Sequence, residues 1–321
     1  MNLSDALATA LRDWDVKYLF GVGGANIEHL LDSVHRLGGD RLHSIMAKSE
    51  VGASFMADSR ARIHGTLGVC YSTSGGGMMN LAVGVAEAYA ESVPLLAIVG
   101  QIPQDLEGNG GFQDSSGIGR TVDAVGMWGA ISKHVSKIES SDQFWTQFHD
   151  AVREAMSGRP GPSVLLIPRN LFVEEVEPKP EGFPTDLQQF RTSSPISNGN
   201  LDRLIKKVEA ASNPVMIIGS GVQRSANPRS VYEFARKAGM RIATTLSNQT
   251  SLSKEDPSYL GSVGIFGHPS VHTFLNDEAD LVLIVGAGMN AMTRMPLQSA
   301  LSRKKLICIN IDVEEMKILL K

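Results

Sequence analysis

Short apolar runs rich in β-branched residues punctuate the chain: YLFGV at 18–22, LHSIM at 42–46, LGVCYS at 67–72, LLAIVG at 95–100 and SVLLIP at 163–168. Between them the apolar positions shift to a three-to-four-residue spacing, as in SDALATALRDW, NIEHLLDSVHRL and MNLAVGVAEAYAES. Continuous apolar runs fit strands buried on both faces, and the longer period fits helices that cover a sheet. Their alternation predicts βαβ units around a parallel sheet. Ser4 reads as the N-cap of the first helix.

From Phe172 to Asn200 this pattern stops. FVEEVEPKPEGFPTDLQQFRTSSPISNGN holds four of the 14 prolines and no apolar period, which predicts an interdomain linker. Beyond it the alternation resumes, with NLDRLIKKVEAA as a helix and PVMIIG, RIATTL, LVLIVG and LICINI as strands. The reading is an α/β protein of two doubly wound domains, residues 1–175 and 198–321, each with a mostly parallel sheet flanked by helices, joined by a linker at 176–197.

Composition adds mainly exclusions. The 321 residues are 42% hydrophobic, enough for two packed cores, and 30 Lys and Arg against 34 Asp and Glu leave a net charge of −4. Such a balance gives no bulk positive surface for nucleic acid. No apolar run reaches the roughly 18 residues of a membrane span, and the N-terminal MNLSDALATALRDW carries acidic residues unlike a signal peptide. Cys70 and Cys308 lie inside apolar runs, which reads as two buried thiols in a reducing cytoplasm. There is no HExxH, CxxC pair, GxSxG or EF-hand loop, so metal-site and hydrolase readings lack a basis. His64 and His134 read as surface or hydrogen-bonded structural residues.

Candidate chemistry sits in glycine-rich turns after strands, where backbone can approach a ligand. GVGGANIEHL (21–30) and STSGGGMMNL (72–81) fall in the first domain, and IIGSGVQ (217–223) in the second. None is a P-loop, and GVGGAN lacks the third glycine of a dinucleotide fingerprint. Tight structural turns explain them equally well. Glu50 begins a helix whose Gly52, Ala53, Ser54 and Ala57 are small enough for another layer to pack closely. Enclosure would raise its pKa and fit it for proton exchange with a ligand nitrogen. The plainer alternative, which position alone favours, is a glutamate attracted to the positive end of the helix dipole.

The order of motifs is more specific than any one of them. KSEVGASFMADSRARIHG, then GVCYSTSGGGMMNLAVGVAEAYAESVPLLAIVGQIP, GGFQDSSG and SGRPGPSVLLIPRNL resemble the pyrimidine-binding domain of thiamine-diphosphate enzymes of the acetolactate synthase type. PVMIIGSGVQRSA, ATTLSNQTSLSKEDPSYLGSVGIFGHPS, ADLVLIVGAGMN and LICINIDVEE resemble their central domain. The resemblance implies that Glu50 hydrogen-bonds N1′ of the cofactor's aminopyrimidine, favouring the imino tautomer that removes the thiazolium C2 proton. It implies that Gly24 and the turn Ser74, Gly75, Gly76 approach the pyrimidine, with Asn80 following on the helix. Gly76 stands where the family has proline. Phe112 and Gln113 match a pair on the substrate side, Gln113 with a catalytic role, and Asp114 stands where glutamate is common.

The resemblance further implies a small 2-oxo acid substrate such as pyruvate, and a homodimer formed through the first domain. It admits FAD in the central domain, where Gly219, Gly221 and Gly286 and the turn from Gly261 to Gly267 would suit a nucleotide. GAGMNAMTR at 286–294, however, lacks the charged GARFDDR pattern of the FAD-binding members. The family holds Mg²⁺ and the diphosphate on a third domain through GDG and a downstream Asn, and no GDG occurs here. The expectation is a split gene with a partner chain, a piece of a longer enzyme or a non-catalytic relative, in that order.

Overall fold

A computed structural model describes residues 1–192 and 195–319. The chain divides into two compact units between residues 193 and 194. Every strand pairing among the described residues is parallel.

In the first unit the strands are β1 Tyr18–Gly21, β2 His43–Met46, β3 Gly68–Ser72, β4 Leu95–Gln101, β5 His134–Lys137 and β6 Pro162–Pro168. The helices are α1 Leu3–Asp13, α2 Glu28–Leu37, α3 Glu50–His64, α4 Gly76–Ala90, α5 Ala124–Ile131 and α6 Phe144–Met156. The sheet runs β2-β1-β3-β4-β6-β5. Alternate residues of the strands feed two cores. Leu96, Ile98, Leu165 and Ile167 join α1, α2 and α6 on one face. Leu95, Ala97, Val99 and Leu166 join Ala53, Ala57 and Ala61 of α3 and Met78, Leu81 and Val85 of α4 on the other. The small residues of α3 serve the purpose their size predicts: α3 and α4 cross so closely that a Cβ on Gly84 would collide with the side chain of Ser54.

Two expectations change, and one strand is unexpected. The N-cap of α1 is Asn2, whose Oδ1 accepts from Asp5 N at 2.8 Å; Ser4 is buried inside the helix and donates to Asn2 Oδ1 at 3.1 Å. The strand β5 has one neighbour and only half-buried residues, so no apolar run marks it. The boundary at 175 is also displaced. Residues read as linker strap back over the first unit, with Val176, Phe183, Leu187 and Phe190 buried in its core. Trp14 stacks on Phe148 and Phe183 with ring centroids 5.0 and 5.8 Å apart, meets Phe190 edge-on, and donates Nε1–H to Pro184 O at 2.7 Å. A few aromatic anchors in an irregular strap carry no period, which is why the segment reads as a linker.

The second unit contains α7 Asn198–Glu209, β7 Pro214–Ile218, α8 Ser220–Gln223, α9 Pro228–Lys237, β8 Arg241–Thr244, β9 Tyr259–Ser262, β10 Leu281–Val285 and β11 Lys305–Ile309. Its sheet runs β11-β10-β7-β8-β9. Val215, Ile217, Val282 and Ile284 face one core, and Met216, Ile218, Leu281 and Leu283 the other. The edge strand β9, which follows no clear apolar run, is held by Asp256. Its carboxylate accepts from Ser258 N and Oγ at 2.9 and 2.6 Å and from Arg236 of α9 at 2.6 Å. Those bonds, Ser258 first and Arg236 next, hold its pKa down to about 2 from 3.8.

Because the folded-state pKa is depressed, the stabilisation is present above the unfolded pKa near 4 and is lost as pH falls toward 2. Asp256→Asn is expected to cost roughly 1–2 kcal/mol at pH 7, with the gap from wild type closing across that acid window in urea unfolding. A gap that does not change with pH would contradict this assignment.

Candidate active site

In a doubly wound sheet, ligands lie beyond the carboxyl ends of the strands where the strand order reverses. Here the reversal falls between β1 and β3, since β1 leads outward to β2 and β3 leads the other way to β4. The turns after these two strands, 22–27 and 73–75, therefore flank one crevice. They touch directly: a Cβ on Gly24 would lie 2.7 Å from Thr73 Cβ, and Asn26 Nδ2 donates to Ser74 Oγ at 2.8 Å in the interior.

Gly75 takes φ +62°, a left-handed conformation that favours glycine, and caps α4 without a side chain, leaving the first N–H groups of that helix uncapped by one. Gly76 is the first residue of α4 with open space where a side chain would be. That position has room for a Cβ, so the packing there does not require glycine. Gly77 lies under the glutamate: a Cβ there would sit 3.3 Å from Glu50 Oε1 and 3.0 Å from Thr73 Cγ2.

Glu50 reaches this crevice because Ser49 caps α3. Ser49 Oγ accepts from Gly52 N at 3.2 Å, fixing Glu50 as the first helical residue. Asn80, one turn along α4 from Gly76, donates Nδ2–H to Glu50 Oε2 at 3.1 Å. The glutamate is half-buried within this unit, less enclosed than the small residues of α3 predict, because those residues serve the α3–α4 crossing.

Gln113 also arrives. Its Cβ lies against Gly75, where an added Cβ would be 2.8 Å away. Phe112 beside it is 85% exposed. Three residues that the sequence reading did not single out complete the crevice. Asn26 ties the two turns, Ser115 Oγ accepts from Gly75 N at 3.4 Å, and Thr73 Oγ1 is buried with no hydrogen-bond partner among the described residues. An orphaned buried hydroxyl beside glycine floors and a carboxylate acceptor leaves polar groups that a bound ligand could satisfy.

The glycines proposed for a nucleotide in the second unit meet one another. Gly219 follows β7 and Gly286 follows β10, the pair at which that sheet reverses. Gly221 N donates to Gly286 O at 2.9 Å, and a Cβ on Gly219 or Gly221 would strike Gly286 O. Cys70 and Cys308 are free thiols, both pushed up in pKa by burial, which makes them poor nucleophiles. His134 opens β5 and bonds Ser136 Oγ at 2.7 Å. No helix among the described residues is long and apolar enough to cross a membrane.

The crevice sets a carboxylate against glycine-lined turns at a switch point, where sheets of this kind take ligands. Comparison with known proteins identifies the family. The thiamine pyrophosphate enzyme N-terminal TPP binding domain matches residues 1–119, and the thiamine pyrophosphate enzyme central domain matches residues 201–319. The chain belongs to the thiamine pyrophosphate enzyme family.

Among curated relatives, a probable acetolactate synthase large subunit of Methanococcus aeolicus is 30% identical over 319 residues, 98% of this chain and 51% of the relative. The acetolactate synthase isozyme 1 large subunit of Escherichia coli is 30% identical over 308 residues, 95% of this chain and 52% of its own. The acetolactate synthase large subunit of Haemophilus influenzae is 29% identical over 315 residues, 96% and 52%. The chain spans about half the length of the curated relatives it matches.

Proposed function

We propose that this chain supplies the pyrimidine half of a thiamine-diphosphate site in an enzyme that decarboxylates a 2-oxo acid such as pyruvate and joins the remaining fragment to a second carbonyl. The observation that carries the reading is the placement of Glu50 above Gly77 with Asn80 holding its carboxylate. An aminopyrimidine fits this donor and acceptor set. Its ring nitrogen needs a carboxylate partner, its flat face needs turns without side chains, and its amino group can satisfy an orphan such as Thr73 Oγ1.

When bound, the cofactor's thiazolium supplies the electron sink for decarboxylation. The chain's residues do the rest of this half of the work. Glu50 shares a proton with the pyrimidine ring nitrogen; Asn80 holds its carboxylate for that exchange, and the Ser49 cap fixes the start of the helix that carries it. Gly24, Gly75 and Gly77 keep the crevice open, and Gln113 borders it from the substrate side.

The diphosphate and Mg²⁺ are assigned to a further domain, on the same polypeptide or on a partner chain, because GDG does not occur in these residues. Exposed Phe55, Met56 and Ile63 of α3 line a groove of about 640 Å³ with Tyr18, Phe20 and Ile45, and support a homodimer through this unit. A cytoplasmic location accords with two free thiols. FAD is not part of the proposal: packing of the turns on each other already accounts for Gly219, Gly221 and Gly286. A non-catalytic module would have no need of the Glu50–Asn80 contact, which favours the enzyme.

The test is carbon dioxide release and acetolactate-type product from pyruvate, with thiamine diphosphate and Mg²⁺, for this chain alone and joined to a family diphosphate-binding domain. Turnover only when the domain is present is expected. No turnover in a folded, cofactor-loaded assembly with any 2-oxo acid tried would favour the non-catalytic module.

A further inference from the structure

Gln113 holds φ +64°, a left-handed backbone that favours glycine and strains a residue with a side chain. Such a conformation persists only where its surroundings impose it, so the loop around it must contain the device that does so. The neighbouring Asp114 is that device. Its Oδ2 accepts from Gly108 N at 2.8 Å and its Oδ1 from Ser116 N at 2.9 Å, clamping the loop from both sides of Gln113. Gly108 and Gly117, at φ +73° and +79°, supply the sharp turns the clamp needs.

Two further contacts fix where the clamped loop lies. Lys137 of β5 donates to Glu107 Oε2 at 2.7 Å, with both side chains largely buried, which ties the start of the loop to the sheet. Ser115 Oγ accepts from Gly75 N at 3.4 Å and donates to Gln113 O at 3.2 Å, which ties its middle to the crevice. Burial pushes the Asp114 carboxyl up in pKa, but the N–H groups of Gly108 and Ser116, the Ser116 side chain and Lys137 together bring it below its ordinary value. It is therefore ionised at neutral pH and able to accept on both oxygens.

We propose that Asp114 is a positioning residue that holds Gln113 against the Gly75 turn and so sets the substrate side of the crevice. The inference rests on the thiamine-diphosphate reading for what Gln113 borders, but the clamp itself does not. Aspartate is the length the clamp requires. A glutamate, the residue the family resemblance leads one to expect here, adds a methylene and cannot receive both amides without moving the loop.

The experiment compares wild type with Asp114→Asn and Asp114→Glu. Amide hydrogen exchange across 107–117, read on this chain without cofactor or partner, is expected to quicken by about tenfold or more in both variants, while exchange in β3 and β4 stays as in wild type. In the assembly with a diphosphate-binding domain, both variants should keep cofactor affinity and lose about tenfold in kcat/KM for the 2-oxo acid. Unchanged loop exchange would overturn the clamp. Faster exchange with unaltered kcat/KM, in an assembly whose wild type turns over, would overturn the positioning role. A wild-type assembly with no turnover is a failure of the functional reading, and the exchange result still decides the clamp.

Discussion

Glu50→Gln is expected to lower turnover of the assembled enzyme by about 100-fold or more, since a positioned proton-exchanging group contributes on the order of 10²–10⁴ to rate. The amide keeps the size of the carboxylate and can still accept from Asn80 Nδ2 at its remaining oxygen, so the α3–α4 geometry survives. What it loses is the ability to share a proton with a ring nitrogen. The expected pattern is a fall in kcat with cofactor affinity and thermal midpoint near wild type. Equal loss of folding and activity would mean that the glutamate serves only its helix.

Gly100→Ala is expected to destabilise the first unit by about 3 kcal/mol, at the upper end of overpacking costs, or to prevent its folding. Gly100 lies in β4, buried, and a Cβ there would overlap the carbonyl oxygen of Asn26. The obstacle is backbone, not the end of a flexible side chain, so no rotamer change relieves it. The turn carrying Gly24 and Asn26 would have to lift off the sheet, taking the Asn26–Ser74 bond with it. Gly129→Ala, exposed in α5 of the same unit with nothing closer than 3.9 Å to an added Cβ, is the matched control and should be neutral or slightly stabilising. Urea unfolding read from the first unit decides between them, and a Gly100→Ala midpoint equal to wild type would contradict the close approach.

Much of this fold is legible because the central strands carry their signal locally. LLAIVG and SVLLIP announce β4 and β6, the most enclosed strands of the first sheet, and the glycines after β1, β3, β7 and β10 mark the turns at both reversal points. The edges are less legible. HVSK of β5 and YLGS of β9 are short, half-exposed and paired on one side, so neither an apolar run nor alternation marks them. The strap after residue 175 depends on Phe183 and Phe190 finding Trp14 and Phe148 across the fold, a match of shapes with no period in the chain.

The site divides in the same way. Glu50, Gly75 and Asn80 lie in motifs whose order along the chain points to the family. Asn26 and Ser115 act through partners 48 and 40 residues away, and Thr73 is marked only by the bond it lacks, so no spacing rule finds them. Phe112, drawn from the same motif as Gln113, is exposed in this unit.

The most direct measurement of the central claim is deuterium exchange at C2 of thiamine diphosphate, in this chain assembled with a diphosphate-binding domain, for wild type and Glu50→Gln. The account predicts fast exchange in wild type and exchange slowed by about 100-fold or more in the variant. Equal exchange rates in two folded, cofactor-saturated assemblies would contradict the role of Glu50 and, with it, the assignment of this chain as the pyrimidine half of the site.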